Sequence, residues 1–250
     1  MSVLILRLAG PMQSWGDSSR FNRRETRTEP TKSAVIGLLA SAQGRRREDS
    51  IEDLLGLRFG VRSDQPGRIM RDFQTEKSIA RKKSGEFSLT MPLTHRYYLA
   101  DAKFLVAIEG ERSLLESLDA ALRNPQWPLF LGRRSCPPAS PVSLGVKDYA
   151  NVEEALDKEP WIASPWYRKK VHDSKRLQVV VDAVENGETT GQQSDMPLSF
   201  SQKHRRYAQR PVRRYFVDCP TQDSATEPSA RQTDNRPPEF TGAADPMSLM

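Results

Sequence analysis

The sequence predicts an α+β fold, and two observations carry that prediction. Apolar runs at 3–8 and 102–108 show no helical period and have the length of buried strands. Segments 31–43 and 111–123 instead repeat their apolar residues at helical spacing. With the shorter strand-like runs included, the order up to residue 146 is strand, helix, strand, long arm, strand, helix, glycine loop, strand. This is the βαββαβ order of a ferredoxin-like (RRM-type) domain.

The overall composition is that of a soluble globular protein. Of the 250 residues, 37% are hydrophobic, and the mean hydropathy is negative. The longest apolar run has strand length, far short of the roughly 20 residues that a membrane span needs. Residues 3–8 are also too short for the core of a signal peptide, and Arg7 interrupts them. We therefore expect a cytoplasmic protein without a membrane partner.

The positive charge is concentrated in the first 220 residues. The chain has a net charge of +6, but residues 221–250 hold five acidic and two basic side chains. Residues 1–220 therefore carry 36 basic and 27 acidic side chains, a net charge of +9. A basic body favours a polyanionic partner such as nucleic acid, although many basic proteins bind no specific anion. The acidic tail 221–250 has too few apolar residues to fold alone and is predicted to be disordered.

Cysteine and histidine are too sparse for a disulfide framework or a zinc site. Cys136 and Cys219 are the only cysteines, and the three histidines stand far apart at 95, 172 and 204. None of these residues has the spacing of metal ligands. We expect neither a metal nor a cofactor.

The first helix offers a candidate phosphate site at its N-terminus. The first strand ends at a Gly-Pro pair, and a long arginine-rich loop runs from there to residue 30. Thr31 is the predicted N-cap, which places Lys32 and Ser33 in the first turn. Unpaired backbone N–H groups at such an end can hold a phosphate. The three arginines at 45–47 suit a helix C-terminus, and we favour that interpretation over a ligand site.

The second predicted strand, 57–62, leads into a long basic arm within 64–94. The arm lacks a sustained apolar pattern and carries six lysines and arginines. It is either a β-hairpin or a mobile loop, and connections of this length are usually functional. After the helix at 111–123, a short strand at 142–146 completes the domain.

The leading candidate site is the segment 128–138, PLFLGRRSCPP, between the second helix and the last strand. An apolar run and a proline pair hold this segment at both ends as a loop. Gly132 permits close approach of a ligand to the backbone, and Arg133 and Arg134 offer planar forks suited to phosphate. The alternative is an ordinary surface turn with two solvated arginines.

Residues 147–220 are predicted to form a small, strand-rich region packed on the first domain. A short helix, an apolar strand at 177–181 and a basic segment that ends in aromatic residues support this. Trp161, Trp166 and Tyr167 stand among prolines without an alternating pattern. We interpret them as core or interface aromatics rather than as base-stacking platforms.

Three local sequences, in order, resemble one known family. They are LRLAGPMQSWG at the first strand, PTKSAVIGLLA at the first helix and FLGRRSCPP after the second helix. RDFQT and THRYYLADAKF beside the arm are weaker matches. On these motifs the chain is similar to the CasD family, the subunits of the type I-E CRISPR Cascade complex that bind the 5′ handle of the crRNA. The resemblance covers residues 3 to about 146.

The resemblance implies an RRM-like domain (1–146) with a β-hairpin thumb within 64–94, followed by the small C-terminal β-rich region (147–220). It implies a protein that caps the crRNA 5′ handle and contacts the Cascade large subunit and the adjacent backbone subunit. Target DNA would be reached only through the assembled complex. The aromatic signature by which an ordinary RRM stacks bases is missing, so RNA should be held by loops, thumb and backbone contacts.

The residues assigned to RNA binding lie in the first-strand turn, the basic loop that follows it, the helix start, the end of the thumb and the glycine loop. They are Gln13, Trp15, Gly16, Arg27, Thr31, Lys32, Ser33, His95, Arg96, Gly132, Arg133, Arg134, Ser135 and Cys136.

Three functions remain open from the sequence. The favoured one is a non-catalytic RNA-binding scaffold. The second is a metal-independent endoribonuclease that cuts the repeat RNA, and His95 beside Tyr97 and Tyr98 is the only local cluster suited to it. The third is a basic interaction domain that binds protein only.

Overall fold

The apolar runs and helical segments of the sequence form regular elements in the computed structural model, which describes residues 2–16, 22–75, 80–86, 93–171, 176–184 and 187–219. The architecture is α+β and rich in strands, as predicted. The strands are β1 (Ser2–Ala9), β2 (Met12–Gln13), β3 (Arg23–Arg24), β4 (Arg58–Gln65), β5 (Arg68–Gln74), β6 (Thr94–Ala100), β7 (Lys103–Gly110), β8 (Ser143–Asp148), β9 (Arg176–Asp182), β10 (Gly191–Ser199) and β11 (Arg206–Asp218). The helices are α1 (Lys32–Ala42), α2 (Glu52–Leu55), α3 (Arg112–Arg123), α4 (Val152–Lys158) and α5 (Pro165–Lys170).

Seven strands form one main sheet in the order β10-β11-β9-β4-β7-β1-β8, and all neighbours are antiparallel. β1 is buried on both faces because helices cover both. Leu4, Leu6 and Leu8 pack with α1 and α3, whereas Val3 and Ile5 pack with α4 in a second core. A strand between two packed layers needs a nearly continuous apolar run, which explains its composition.

Local chemistry sets the ends of α1 and α3. Thr31 caps α1 as predicted, because its hydroxyl accepts a hydrogen bond from Ala34 N at 3.3 Å. Gly44 follows the helix at a φ of 77°, the left-handed conformation in which helices commonly end. Glu111 is the N-cap of α3, and that helix buries three leucines at helical spacing against the main sheet.

A second, smaller sheet carries the base of the predicted arm. Its strand order is β2-β6-β3, and β5 pairs with β6. β5 and β6 are antiparallel over 68–74 and 94–100, so the base of the arm is a hairpin rather than an irregular loop. Residues 64 and 65, which the prediction placed in the arm, belong to β4. Residues 76–79 and 87–92 of the predicted thumb lie outside the described residues.

The C-terminal strands extend the main sheet instead of packing on it as a separate region. β9 pairs with β4, β11 and β10 follow beyond β9, and the predicted boundary at 146/147 falls inside β8. β10 escaped prediction because the residues that it buries, Gln193, Asp195 and Pro197, give no apolar alternation. The predicted tail 221–250 lies outside the described residues. Among the helices in the described ranges, none has the length and apolar character to span a membrane.

Candidate nucleic-acid interface

The loop at 128–138 is held against the chain that follows β2. Leu131 and Cys136 are buried, and Leu131 N donates to Cys136 O at 2.7 Å, which closes a tight turn between them. Leu131 O accepts from Ser14 N at 3.1 Å. Gly132 has a φ of 90°, and a Cβ added to it would overlap Ser14 O. The glycine is therefore required for packing against Ser14, whereas the sequence suggested that it admits a ligand.

Arg133 braces this loop from within. Its guanidinium donates to Tyr97 O at 3.1 Å, to Arg24 O at 2.8 Å and to Glu25 O at 3.3 Å. The same group lies over the Tyr98 ring, 4.7 Å from its centroid. These contacts join the loop to β6 and to the chain at the end of β3. The arginine that was expected to meet phosphate is thus largely engaged by carbonyl groups of the protein itself.

Arg134 has a different environment. It is exposed, and its side chain makes no hydrogen bond or ion pair with any residue that the structure describes. It lines an open groove of about 1070 Å³ between the loop and α1. Ser33, Gly37 and Ser41, at every fourth position of α1, line the groove as well. Small side chains at these positions leave room for a ligand beside the helix.

The groove is strongly basic and partly aromatic. Among the described residues, its lining holds seven arginines, which are Arg24, Arg45, Arg46, Arg47, Arg133, Arg134 and Arg205, and one acidic residue, Glu25. Its aromatic residues are Trp127, Phe130, Phe200 and Tyr207. Guanidinium groups bind phosphate and aromatic rings accept stacked bases, so this combination suits a single-stranded nucleic acid.

Some of these arginines already have partners. Arg45 donates to both carboxylate oxygens of Asp53, at 2.5 Å each. Arg205 donates to Tyr207 Oη at 2.6 Å and lies 5.4 Å from the centroid of that ring. Among the seven groove arginines, those whose side chains have no hydrogen bond or ion pair within the described ranges are Arg24, Arg46, Arg47 and Arg134.

Gln13 and Trp15 support this surface from inside. Both are fully buried. Gln13 Nε2 donates to Leu8 O at 3.1 Å and to Ala102 O at 2.8 Å. Gln13 Oε1 accepts from Trp15 Nε1 at 3.2 Å. The structure therefore does not support their assignment to RNA contact: they hold the turn that carries Gly16, which is exposed and lines the groove.

The N-terminus of α1 is occupied by a carboxylate of the protein itself. Lys32 N donates to Asp195 Oδ2 at 2.9 Å, and Lys32 Nζ donates to Asp182 Oδ2 at 2.8 Å. Thr31 and Lys32 are buried, so neither is presented to RNA, contrary to the phosphate site predicted there. Ser33 is the member of this predicted trio that lines the groove.

Arg210 completes a buried charge cluster at the N-terminus of α1. Its guanidinium donates to Asp195 at 2.9 Å, to Gln193 at 2.8 Å and to Asp182. Because these residues belong to β9, β10 and β11, the cluster ties the C-terminal strands to α1 through Lys32. This attachment brings the groove-lining residues of 194–207 beside the helix.

The remaining predicted residues do not line the groove. His95 and Arg96 lie in β6, and within the described ranges His95 Nδ1 and Arg96 Nε are buried without a hydrogen-bond partner. Arg27 is half-buried in a β-bridge. Ser135 is exposed, whereas Cys136 is buried, and that burial raises the pKa of its thiol. The described residues contain no group of three or more His, Cys, Asp or Glu placed to hold a metal ion.

The sequence did not reveal the C-terminal contribution to the groove. Phe200, Arg205 and Tyr207 reach α1 only because β10 and β11 join the main sheet, and no local pattern encodes that placement. Trp127 stands one residue before the segment that the sequence singled out. The arginine run at 45–47 is a visible signal in the sequence, but the same pattern also suits a solvated helix end.

Sequence and fold both relate this chain to CRISPR-associated proteins. Residues 3–213 match the family described as CRISPR-associated protein (Cas_Cas5). The chain therefore belongs to the Cas5 family. The CRISPR system Cascade subunit CasD of Escherichia coli (strain K12) is 36% identical over 169 residues, which cover 62% of this chain and 75% of that protein. These matches confirm the resemblance drawn from the three sequence motifs.

Two solved structures give the same relationship. A chain of a CRISPR RNA-guided surveillance complex superposes with a TM-score of 0.72 and 34% identity, covering 87% of this chain and 91% of that one. A structure described as a crystal structure of a Cas protein has a TM-score of 0.66 and 37% identity, covering 86% and 95%. The structural similarity covers most of the chain. The family match runs to residue 213 and so includes β9, β10 and part of β11, which the motifs did not reach.

Proposed function

We propose that this chain is a non-catalytic RNA-binding subunit of a type I-E CRISPR Cascade surveillance complex, and that its groove holds the 5′ handle of the crRNA. It would thereby act in defence against foreign DNA. The observation that carries the proposal is the groove between α1 and the loop 128–138, with seven arginines against one acidic residue and four aromatic rings. Membership of the Cas5 family and similarity to a Cascade subunit support the choice of RNA.

In this proposal the groove residues divide between contact and support. Phosphates of a single strand contact the exposed guanidinium groups of Arg46, Arg47 and Arg134, while splayed bases stack on the groove's rings. Arg133 and Gly132 act indirectly, because they hold the loop against β6 and the turn after β2. The single-stranded RNA would run along α1, where small side chains line the groove.

We further propose a ferredoxin-like (RRM-type) core with a thumb. The adjacent antiparallel strands β4-β7-β1-β8, with α1 and α3 packed on one face, support this topology, and the β5–β6 hairpin is the base of the thumb.

Similarity to a chain of a surveillance complex supports the assembly partners that we propose. The subunit caps one end of the crRNA and contacts the large subunit and the adjacent backbone subunit. It meets target DNA only in the assembled complex, in the cytoplasm.

The groove is tested by binding of the full chain to a crRNA that bears the 5′ handle, measured across salt concentrations. Arg46→Ala with Arg134→Ala is expected to weaken binding and to reduce the salt slope by about 1.4, because each phosphate neutralised on a single strand contributes about 0.7 to that slope. Arg112→Ala is the matched control, since Arg112 is exposed on α3 and pairs with Glu116 and Asp148. Unchanged handle binding in the double variant would remove the groove from the proposal.

The alternative endoribonuclease needs a general base near a 2′-hydroxyl and an acid for the leaving oxygen. Its candidate, His95, lies outside the groove lining with Nδ1 buried, which supports the non-catalytic proposal. We expect labelled repeat RNA to stay intact when incubated with the purified chain. A handle-sized product that disappears in His95→Ala would establish cleavage instead. A chain that never retains RNA through purification would favour a domain that binds protein only.

A further inference from the structure

A second basic cleft lies on the face of the main sheet opposite to the groove. It has a volume of about 320 Å³ and is lined by residues of β1, β7 and the chain around α5. Arg7 follows Val3 and Ile5 at two-residue spacing on β1, so it belongs to the face that α4 covers, whereas α1 covers the other face. Lys103 lines the cleft from the neighbouring β7. The sheet therefore separates the two basic sites.

Positive charge exceeds negative charge among the described residues that line this cleft. Neither Arg7 nor Lys103 forms an ion pair with any residue in the described ranges. Arg7 Nε is buried without an acceptor there, although Nη2 of the same side chain reaches Pro141 O at 3.4 Å. A buried N–H without an acceptor is unfavourable, because it has given up its hydrogen bond to water without forming another.

A third cation, Arg168 of α5, increases the imbalance. The pKa of Lys103 is lowered, first by burial and then by the positive charges of Arg7 and Arg168. Arg168 Nε donates to Ala163 O at 2.9 Å, a contact that satisfies the donor without neutralising its charge. The carboxylate in the lining belongs to Asp101, which is exposed. An anion in the cleft would relieve this repulsion.

We propose that this cleft binds a phosphate group of a nucleic-acid backbone, at a site separate from the groove. Phosphate oxygens accept from Arg7 and Lys103 and from the hydroxyl of Ser140, which also lines the cleft. Among the described residues that line the cleft there is no aromatic ring, so the site holds backbone without stacking a base. Beyond the cleft, α5 adds the exposed Lys169 and Lys170 and no acidic residue. A row of cations matches the repeating charge of a polynucleotide better than the single carboxylate of a protein side chain.

The first test uses inorganic phosphate and the full chain carrying Arg46→Ala and Arg134→Ala, which weaken the groove. At constant ionic strength, exchanging chloride for phosphate is expected to raise Tm, because an anion bound to the native state stabilises it. Lys103→Gln should lose most of that rise, and Lys103→Arg should keep it. Lys158→Gln is the matched control, since it removes the same charge from α4, where Lys158 pairs with Glu154. An equal rise in Lys103→Gln and in this control overturns the site.

The second test identifies the source of the phosphate. In the same background, we expect Lys103→Gln to weaken binding of labelled single-stranded RNA or duplex DNA. The salt slope should fall by about 0.7 for the single strand or about 0.9 for the duplex. If polyglutamate displaces phosphate while neither nucleic acid depends on Lys103, the assignment to nucleic acid is overturned. If Lys103→Gln has a lower Tm than its parent chain in chloride alone, Arg7→Gln is used in its place. A negative result for this cleft does not affect the proposal for the groove, because that proposal is tested separately, by the effect of Arg46→Ala and Arg134→Ala on handle binding.

Discussion

The sequence predicts a phosphate site both at the N-terminus of α1 and in the loop 128–138, but the structure gives the two regions different environments. At α1, Lys32 N lies 2.9 Å from a carboxylate oxygen of Asp195, so the helix end is filled by the protein itself. In the loop, the Arg134 side chain has no hydrogen-bond or ion-pair partner among the described residues and lines an open groove. A helix end stabilises an internal carboxylate as readily as a ligand, so local chemistry does not tell which one it holds.

The sharpest way to test this comparison is to remove the internal carboxylate. Asp195 is 1% exposed and accepts from Arg210 and from Lys32 N. Asp195→Ala is expected to cost about 3–5 kcal/mol in urea unfolding, because the buried Arg210 guanidinium loses one of its two carboxylate partners and Lys32 N loses its acceptor. Asp218→Ala removes an exposed partner of Arg176 and should cost less than about 0.5 kcal/mol. Wild-type stability in Asp195→Ala would mean that the α1 end does not depend on this carboxylate.

A smaller effect is expected at the glycine of the loop. Gly132→Ala forces a side chain into Ser14 O at a positive φ, which should cost about 1–3 kcal/mol in thermal unfolding and weaken handle binding. Gly37→Ala, in the α1 wall of the same groove, is the control. Its Cβ would meet Phe200 at an ordinary 3.6 Å, so helix propensity should stabilise the protein by about 0.5–1 kcal/mol. Equal stability of the two variants would show that the loop does not need its contact with Ser14.

The smallest expected effect distinguishes the roles of the two adjacent arginines, Arg133 in stability and Arg134 in RNA binding. Arg133→Gln loses hydrogen bonds to three carbonyl groups and should cost about 1–2 kcal/mol in urea unfolding. Arg134→Gln should stay within about 0.5 kcal/mol of the wild type and still reduce the salt slope of handle binding by about 0.7. If Arg134→Gln lowered the free energy of unfolding and Arg133→Gln did not, the division between supporting and contacting residues would be wrong.

The elements with local signals could be predicted from the amino-acid sequence alone. The strand at 3–8, the helix capped by Thr31 and the helix at 111–123 appear where apolar spacing and capping placed them. These signals depend on residues within one or two turns of each other, so no knowledge of the fold is needed. The three motifs that placed the chain in its family are local in the same way, and one of them lies in the loop that carries Arg134.

The tertiary structure decides which polar residues are buried and which are exposed to a ligand. Lys32 meets Asp195 across 163 residues, and Gln13 meets Ala102 across 89, so their burial depends on strands brought together from distant parts of the chain. The same long-range pairing sets Arg205 and the rest of the C-terminal wall beside α1. A polar side chain is buried where its hydrogen bonds are satisfied, and those partners are chosen by the packing of the whole sheet rather than by neighbours in sequence.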